Sequence, residues 1–344
     1  MLGDERCFPA NEIRRIHAAQ LAYLLLRPEV FDARVRAGRV IDGHGDLRPE
    51  HVYLSSPPAI IDCIEFNAEF RQVDVLDELS FLETECALFE AKEIGLAIRE
   101  QCSELLGDET PMELSAFYQS YRACVRAKVA VLRGRQLPAA KREEQLFLAQ
   151  KYLGLADPFD AMLGPPLLIV VCGLSGTGKS TIARALGDRL AIGTLETDAV
   201  RQELVNEGRL AADSGSAKYS AEKRQQVYDE MLAAADELLA EHGSAILDGT
   251  FLSRKQREQV AELAERRGAR WLIVHCRCPV EIAAARIAAR LEQGGSFSEA
   301  RPELVEEQMF AEEPDDRGWP AIECDTTRST SGVVQEIIEH LAKA

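Results

Sequence analysis

The feature that most constrains this chain is an apolar run followed at once by a glycine-rich octapeptide. Residues 167–173 read LLIVVCG, residues 173–180 read GLSGTGKS, and the helical stretch TIARALGDRL follows. The pattern G-x-x-x-x-G-K-[ST] between a buried strand and a helix is typical of a P-loop, in which backbone amides and the helix N-terminus cradle phosphate groups. Glycine permits the backbone angles that turn those amides inward. The predicted phosphate-binding residues are Gly173, Ser175, Gly176, Thr177, Gly178, Lys179, Ser180 and Thr181.

Four side chains in and beyond the loop suit phosphoryl transfer. In a P-loop, Lys179 reaches the β- and γ-phosphates and the Ser180 hydroxyl binds Mg²⁺. Asp248 follows the apolar residues of the run SAILDGT and is predicted as the second anchor for Mg²⁺, through the water shell of the ion. Asp198 follows another strand-like run, where ligands of open α/β sheets bind, and can take the proton of an attacking hydroxyl. The alternative for Asp198 is a helix N-cap.

Arginines supply the remaining positive charge. Arg201 follows Asp198 by one helical turn and is predicted to hold an anionic substrate group. Arg286 and Arg290 are four residues apart, on one helical face, and precede the polar segment GGSFSEARPE. We expect them to close over the phosphoryl group as a lid, with an ordinary surface helix as the alternative. Arg254 and Arg257 are expected on a solvated helix face, with substrate binding by either one as the alternative.

The two halves of the chain differ in their patterns. Residues 1–160 are mainly helical, with one helical stretch at 11–36, helix breaks near Gly107–Pro111 and Gly134–Pro138, and a small hairpin around Pro57-Pro58. After the predicted linker at 156–166, five strand-like runs alternate with amphipathic helices over 165–344: 167–173, 193–198, 244–250, 270–278 and 321–325. Continuous apolar strands alternating with helices predict a parallel sheet flanked by helices. The expected fold is α/β, with a mainly α N-terminal domain and a P-loop domain after it.

The second half resembles the P-loop small-molecule kinases of the gluconate-kinase, chloramphenicol-phosphotransferase and zeta-toxin type. The matching stretches are GLSGTGKST, TDAVRQEL, LDGTF, and RIAAR followed by SFSEA. The resemblance implies an ATP-dependent kinase in which Asp198 is the catalytic base. It does not name the phosphate acceptor.

The first half resembles a different group, the aminoglycoside/choline-kinase-like phosphotransferases, through HGDLRPEH at 44–51 and IIDCIEF at 60–66. The resemblance implies a catalytic role for Asp46 and a metal-binding role for Asp62. This order of domains is similar to bacterial fusions of such a domain with a P-loop kinase. His51 departs from the family's asparagine and suits Mg²⁺ poorly. No ATP-holding lobe is recognised in residues 1–43, so we expect a vestigial domain that acts as a scaffold or recognises the acceptor.

Composition limits the partners. Acidic residues outnumber basic ones by 57 to 40, which gives a net charge of −17. Such a surface repels a polyanion, so nucleic acid is not an expected partner. We recognise no signal peptide or membrane span, and the nine scattered cysteines are typical of buried, reduced thiols in a cytoplasmic protein.

The leading hypothesis is an ATP- and Mg²⁺-dependent transfer of the γ-phosphate to a hydroxyl of a small molecule. One alternative is a zeta-toxin-like nucleotide-sugar kinase. Another is an ATP-binding interaction protein that transfers no phosphate. The oligomeric state, including a homo-oligomer, stays open.

Overall fold

The structure, a computed structural model, describes residues 8–211, 221–293, 303–314 and 317–343. The chain divides into two compact units, Met1–Gly164 and Pro165–Ala344. The helices of the first unit are α1 (Ala10–Leu26), α2 (Pro28–Arg36), α3 (Val75–Leu88), α4 (Lys92–Leu106), α5 (Met112–Arg135) and α6 (Ala139–Ala156). Its strands are β1 (Val40–Asp42), β2 (Val52–Tyr53), β3 (Ala59–Ile60) and β4 (Gln72–Asp74), which pair as β1 with β4 and β2 with β3.

The first unit is mainly helical, as the sequence predicted, and β2 and β3 form the expected hairpin. The helical stretch from residue 11 to 36 is two helices instead of one, because Pro28 has no amide hydrogen and begins α2. The pairing of β1 with β4 was not predicted. Each of these strands has only three residues, too few to show a clear alternation of apolar and polar positions.

Aromatic rings and buried ion pairs hold the first unit together. Tyr23 stacks on Phe117 with ring centroids 5.3 Å apart. Buried Arg34 donates two hydrogen bonds of 2.7 Å to Asp74, which also caps α3. A buried pair of this kind is destabilising when one partner alone is removed, because the other charge is then left unpaired.

The segment predicted as a linker belongs largely to the first unit. Residues Asp157–Met162 form a 3₁₀ helix, and Arg15 forms ion pairs with Asp157 and Asp160. Leu163 packs in the same apolar cluster as Tyr23. The predicted domain limit at 160 is therefore a few residues short of the unit boundary, which follows Gly164.

The second unit is a five-stranded parallel sheet with helices around it. Its strands are β5 (Leu167–Cys172), β6 (Gly193–Glu196), β7 (Ala245–Asp248), β8 (Arg270–Arg277) and β9 (Ala321–Asp325). Their order in the sheet is β6-β7-β5-β8-β9, and each neighbouring pair is parallel. Its helices are α7 (Lys179–Leu190), α8 (Thr197–Asn206), α9 (Ala221–Ala240), α10 (Arg254–Arg267), α11 (Val280–Gln293), α12 (Glu303–Ala311) and α13 (Thr330–Lys343). This confirms the predicted α/β fold class.

Strand β5 lies at the centre of this sheet, and all six of its residues are buried. Leu168 and Val170 pack in one large cluster with side chains of α8, α9 and α10. Helix α7, which follows the glycine-rich loop, contacts β5, β6, β7 and α13. Because parallel strands all end at one edge, the loops after β5, β6 and β7 meet there.

Two expectations from composition can be compared with the structure. Over the described ranges, no helix combines the length and the apolar character that crossing a bilayer requires. Cys63 is exposed, contrary to the expectation of buried thiols, because it lies in the irregular segment after β3. Cys86, Cys172, Cys276 and Cys324 are buried.

Candidate active site

The loop between β5 and α7 is held in shape by glycine conformations and by its own turn. Gly176 has a φ of 79°, and a Cβ there would lie 2.4 Å from the carbonyl oxygen of Ala283. The amide and the hydroxyl of Thr177 both donate to the carbonyl oxygen of Leu174, at 3.3 and 2.8 Å. Thr177 therefore stabilises the loop from within, and its side chain is buried.

A cavity of about 240 Å³ opens above this loop within the second unit. The predicted residues that line it are Ser175, Gly176, Lys179, Ser180, Asp198, Arg201, Asp248 and Arg290. Other lining residues are Glu196, Thr197, Arg224, Tyr228, Thr250, Leu252, Glu307, Gln308 and Ala311. The predicted residues Gly173, Thr177, Gly178, Thr181 and Arg286 are not part of this wall.

Asp248 lies at the end of β7 with its carboxylate next to the loop. It is only 3% exposed, and burial raises its pKa, while the charge of Lys179 and a hydrogen bond with Ser180 oppose that shift. Among the described residues, its Oδ1 atom is buried without a hydrogen-bond partner. A buried carboxylate oxygen beside a serine hydroxyl fits Mg²⁺, which prefers oxygen ligands and keeps several waters.

Asp198 and Arg201 lie on the first turns of α8, where the chain turns after β6. The N-cap of α8 is Glu196, so Asp198 is the second residue of the helix and does not cap it. The capping alternative for Asp198 is therefore wrong. Asp198 is half-buried and Arg201 is buried, and both line the same cavity as Lys179.

The structure separates the two arginines that were predicted to act as a pair. Arg290 lines the cavity. Arg286 instead donates to the carbonyl oxygen of Thr326 at 2.8 Å and to that of Thr177 at 3.4 Å. It thus links α11 to the loop at Thr177 and to the residue that follows β9. The predicted lid segment at 294–302 lies outside the described residues.

Arg257 corrects the prediction of a solvated arginine. It is 2% exposed and lies at the start of α10. Its guanidinium donates to the carbonyl oxygens of Phe251 and Glu313, each at 2.7 Å, and to those of Leu252 and Pro314, each at 3.3 Å. Arg257 therefore connects the loop after β7 with the segment after α12.

Several cavity residues were missed by the sequence analysis. Tyr228 on α9 has its hydroxyl 3.1 Å from that of Thr250 and accepts a hydrogen bond from the amide of Phe251 at 3.0 Å. Its burial raises the pKa of the phenol. Gln308 on α12 accepts a hydrogen bond from the Ser175 amide at 2.7 Å. Both residues come from helices far along the chain, and no local motif marks them.

In the first unit, the HGD loop is tied to buried side chains. The amides of His44 and Gly45 donate to the Glu78 carboxylate at 3.1 and 2.8 Å. Arg122 pairs with buried Asp77 and also donates to the Gly45 carbonyl oxygen at 3.3 Å. The loop conformation is therefore fixed by α3 and α5.

The three residues predicted as a possible vestigial site, Asp46, His51 and Asp62, lie near one another, and Arg48 contacts the first two of them. Its Nε atom donates to Asp46 at 3.0 Å, and its Nη2 atom is 3.0 Å from Nε2 of His51. That same Nε2 atom is 3.4 Å from Oδ2 of Asp62, whose side chain is 75% exposed. The part of the chain that the structure describes holds no group of three or more His, Cys, Asp or Glu residues suited to a metal ion. The guanidinium of Arg48 thus provides the positive charge next to Asp46.

The comparison with protein families bears on the second unit. Residues 168–314 match the model of a family described as an AAA domain. The match begins in β5 and includes the glycine-rich loop, Asp198 and Asp248. The AAA-domain match ends at residue 314, next to the carbonyl oxygens that Arg257 binds.

Curated relatives extend over more of the chain. Uncharacterized proteins of Mycobacterium bovis and Mycobacterium tuberculosis are 33% identical to it over 308 residues. The aligned region covers 88% of this chain and 60% of each relative. The chain therefore spans about three fifths of the length of these relatives.

Solved structures resemble about half of the chain. A gluconokinase from Sinorhizobium meliloti 1021 is 21% identical with a TM-score of 0.36, and covers 52% of this chain and 93% of its own. A putative kinase from Chloroflexus aurantiacus is 23% identical with a TM-score of 0.42, and covers 52% of this chain and 99% of its own.

Proposed function

We propose that the second unit is an ATP-dependent phosphotransferase that transfers the γ-phosphate to a hydroxyl group of a small molecule. The observation that carries this proposal is the shared cavity: Lys179 from the loop after β5 and Asp198 from the helix after β6 line the same space. A phosphate-binding cation and a carboxylate that can act as a base are the two groups that the reaction needs. The AAA-domain match over 168–314 supports the same assignment.

The phosphate side of the cavity is the wall formed by the loop and the start of α7. The loop amides and the positive end of α7 attract phosphate oxygens, and Lys179 adds a full charge. Ser180 and Asp248 are the residues that would hold Mg²⁺, which neutralises charge on the β- and γ-phosphates when it is bound. Arg290, which lines the same cavity, adds positive charge where negative charge develops during transfer.

The acceptor side is the wall formed by α8 and α9. Asp198 takes the proton of the attacking hydroxyl, since it lines the same cavity as Lys179. Arg201 and Arg224 line this side as well. Two guanidinium groups beside a base suit an alcohol that also carries an anionic group.

For the first unit, we propose a relationship to the aminoglycoside-phosphotransferase-like domains without their catalytic activity. Asp46 would be the base in such a domain, but here it accepts a hydrogen bond from Arg48. A guanidinium in that position competes with both a metal ion and a substrate proton for the carboxylate. The first unit would then act as a scaffold or contribute to acceptor recognition, and the chemistry would lie in the second unit alone.

The experiment is a screen of hydroxyl acceptors, including sugars, aminoglycosides and nucleosides, for ATP consumption by the intact chain. With an acceptor found, we expect Asp198→Asn to lower kcat by about 10²- to 10⁴-fold, which is the usual contribution of a general base. Asp46→Asn is the matched control, because it removes the same charge from the other unit, and it should leave kcat unchanged. Loss of activity with Asp46→Asn alone would assign the chemistry to the first unit and refute the proposal.

A further inference from the structure

A glutamine side chain occupies one of the amides of the phosphate loop. The backbone N–H of Ser175 donates to Oε1 of Gln308 at 2.7 Å, although the two residues are 133 positions apart in the chain. Both line the cavity that also contains Lys179 and Asp198. The contact therefore lies on the phosphate side of the proposed active site.

Packing on both sides of Gln308 keeps α12 in place next to the phosphate loop. At the start of α12, Val305 is fully buried in a cluster with Leu174 and Ile287. After the end of α12, the Glu313 amide donates to the carbonyl oxygen of Leu252 at 2.9 Å. Since α12 is fixed at both ends, the bond between Gln308 and Ser175 can be broken by rotation of one side chain without movement of the helix.

The two possible acceptors for the Ser175 amide exclude each other. A backbone amide has one hydrogen atom to donate, and the inward amides of such a loop normally donate to phosphate oxygens. A charged phosphate oxygen is the stronger acceptor, so nucleotide can displace the carboxamide. The hydrogen bond between Gln308 and Ser175 is then lost, which makes the free energy of nucleotide binding less favourable. We propose that Gln308 competes with the nucleotide phosphates for the Ser175 amide and thereby sets the nucleotide affinity of the loop. This inference rests on the proposed function.

Three variants of the full chain test this competition. Gln308→Leu keeps most of the side-chain volume but removes the acceptor, so we expect the Kd for MgATP to fall by about two- to tenfold, the range of one hydrogen bond. Gln308→Glu places a charged acceptor at the same amide and should raise the Kd by about tenfold or more. Met309→Glu is the control for charge, because Met309 is the next residue on α12 and is 49% exposed. Its Kd should stay within about twofold of wild type.

The measurement is isothermal titration calorimetry with MgATP at fixed ionic strength, with far-UV circular dichroism to verify that each variant is folded. If wild type binds MgATP but Gln308→Leu binds it equally or more weakly, the competition is refuted and the proposed function is unaffected. If wild type binds no nucleotide at all, the proposed function fails and the inference fails with it. Gln308→Ala serves in place of Gln308→Leu if leucine disturbs folding, and its Kd should fall in the same way.

Discussion

At the scale of single residues, the acids of the site were predictable and the residues that support them were not. Asp198 and Asp248 follow the carboxyl ends of strands, and in an open parallel sheet those ends meet at one edge. Gln308 and Arg257 reach the site only because α12 and the segment after it pack against the loops that follow β5 and β7. A helix sequence shows which face is apolar, but not which distant backbone atom a polar side chain on it will bind.

Arg257 gives a residue-scale prediction. Its guanidinium donates to four carbonyl oxygens in two segments, so Arg257→Met leaves several buried acceptors without a donor. We expect the free energy of unfolding of the second unit to fall by about 3 kcal/mol or more, since each buried acceptor left without a donor costs about 1–3 kcal/mol. Denaturant titration followed by tryptophan fluorescence measures it.

The control for this prediction is Lys255→Met, two residues earlier on the first turn of α10. Lys255 is exposed, and surface substitutions usually change stability by about 0.5 kcal/mol or less. Equal effects of the two substitutions would mean that the hydrogen bonds of Arg257 contribute nothing beyond those of a surface cation.

At the scale of elements, the strands of the second unit were predicted closely because their burial makes them continuous apolar runs. Strand β9 has the predicted bounds, and β5 and β8 each end one residue earlier than expected. The helix break before α5 was also visible in the sequence, since Gly107 ends α4 in a left-handed conformation. The course of the chain between residues 156 and 164 could not be predicted from the sequence, because its 3₁₀ helix is stabilised by Arg15 from α1.

The packing of the phosphate loop against α11 gives an element-scale prediction. In Gly176→Ala, the new Cβ would lie 2.4 Å from the carbonyl oxygen of Ala283 in α11, so loop and helix must move apart. Gly208→Ala is the matched control, because Gly208 has a similar φ of 71° but nothing within 4 Å of a Cβ. Both variants bear the cost of a left-handed alanine, about 1–2 kcal/mol.

Only Gly176→Ala adds the cost of overpacking, about 1–3 kcal/mol. We therefore expect a lower melting temperature for Gly176→Ala than for Gly208→Ala, together with a Kd for MgATP that is raised at least about tenfold in Gly176→Ala alone. Differential scanning calorimetry and titration calorimetry measure the two quantities. Equal melting temperatures would show that α11 yields to the loop without cost.

At the scale of the whole molecule, the acidic charge and the two-unit organisation bear on where ATP can bind. The net charge of −17 includes no long acidic tract, so the positive charge that a phosphate requires has to be concentrated locally. In the second unit, Lys179, Arg201, Arg224 and Arg290 all line one cavity. In the first unit, Arg48 forms ion pairs with Asp46 and Glu50. If ATP binds at the cavity that these four cations line, it should stabilise the second unit and not the first.

The two tryptophans make this asymmetry measurable. The sequence contains only Trp271 and Trp319, both in the second unit, with ring centroids 6.2 Å apart. Tryptophan fluorescence therefore reports unfolding of the second unit, whereas far-UV circular dichroism reports both. At MgATP concentrations about 100 times the Kd, linkage predicts a stabilisation of about 2.7 kcal/mol for the unit that binds it.

We expect MgATP to shift the fluorescence transition, which reports the second unit, to higher temperature. The part of the circular dichroism transition that comes from the first unit should keep its midpoint. Lys179→Ala should abolish the shift without changing the transition of the first unit, because it removes the phosphate-binding cation alone. A fluorescence transition that MgATP does not move would separate the cavity from nucleotide binding. A single transition that moves in both signals would mean that the two units unfold together, and that nucleotide bound at one cavity stabilises the whole chain.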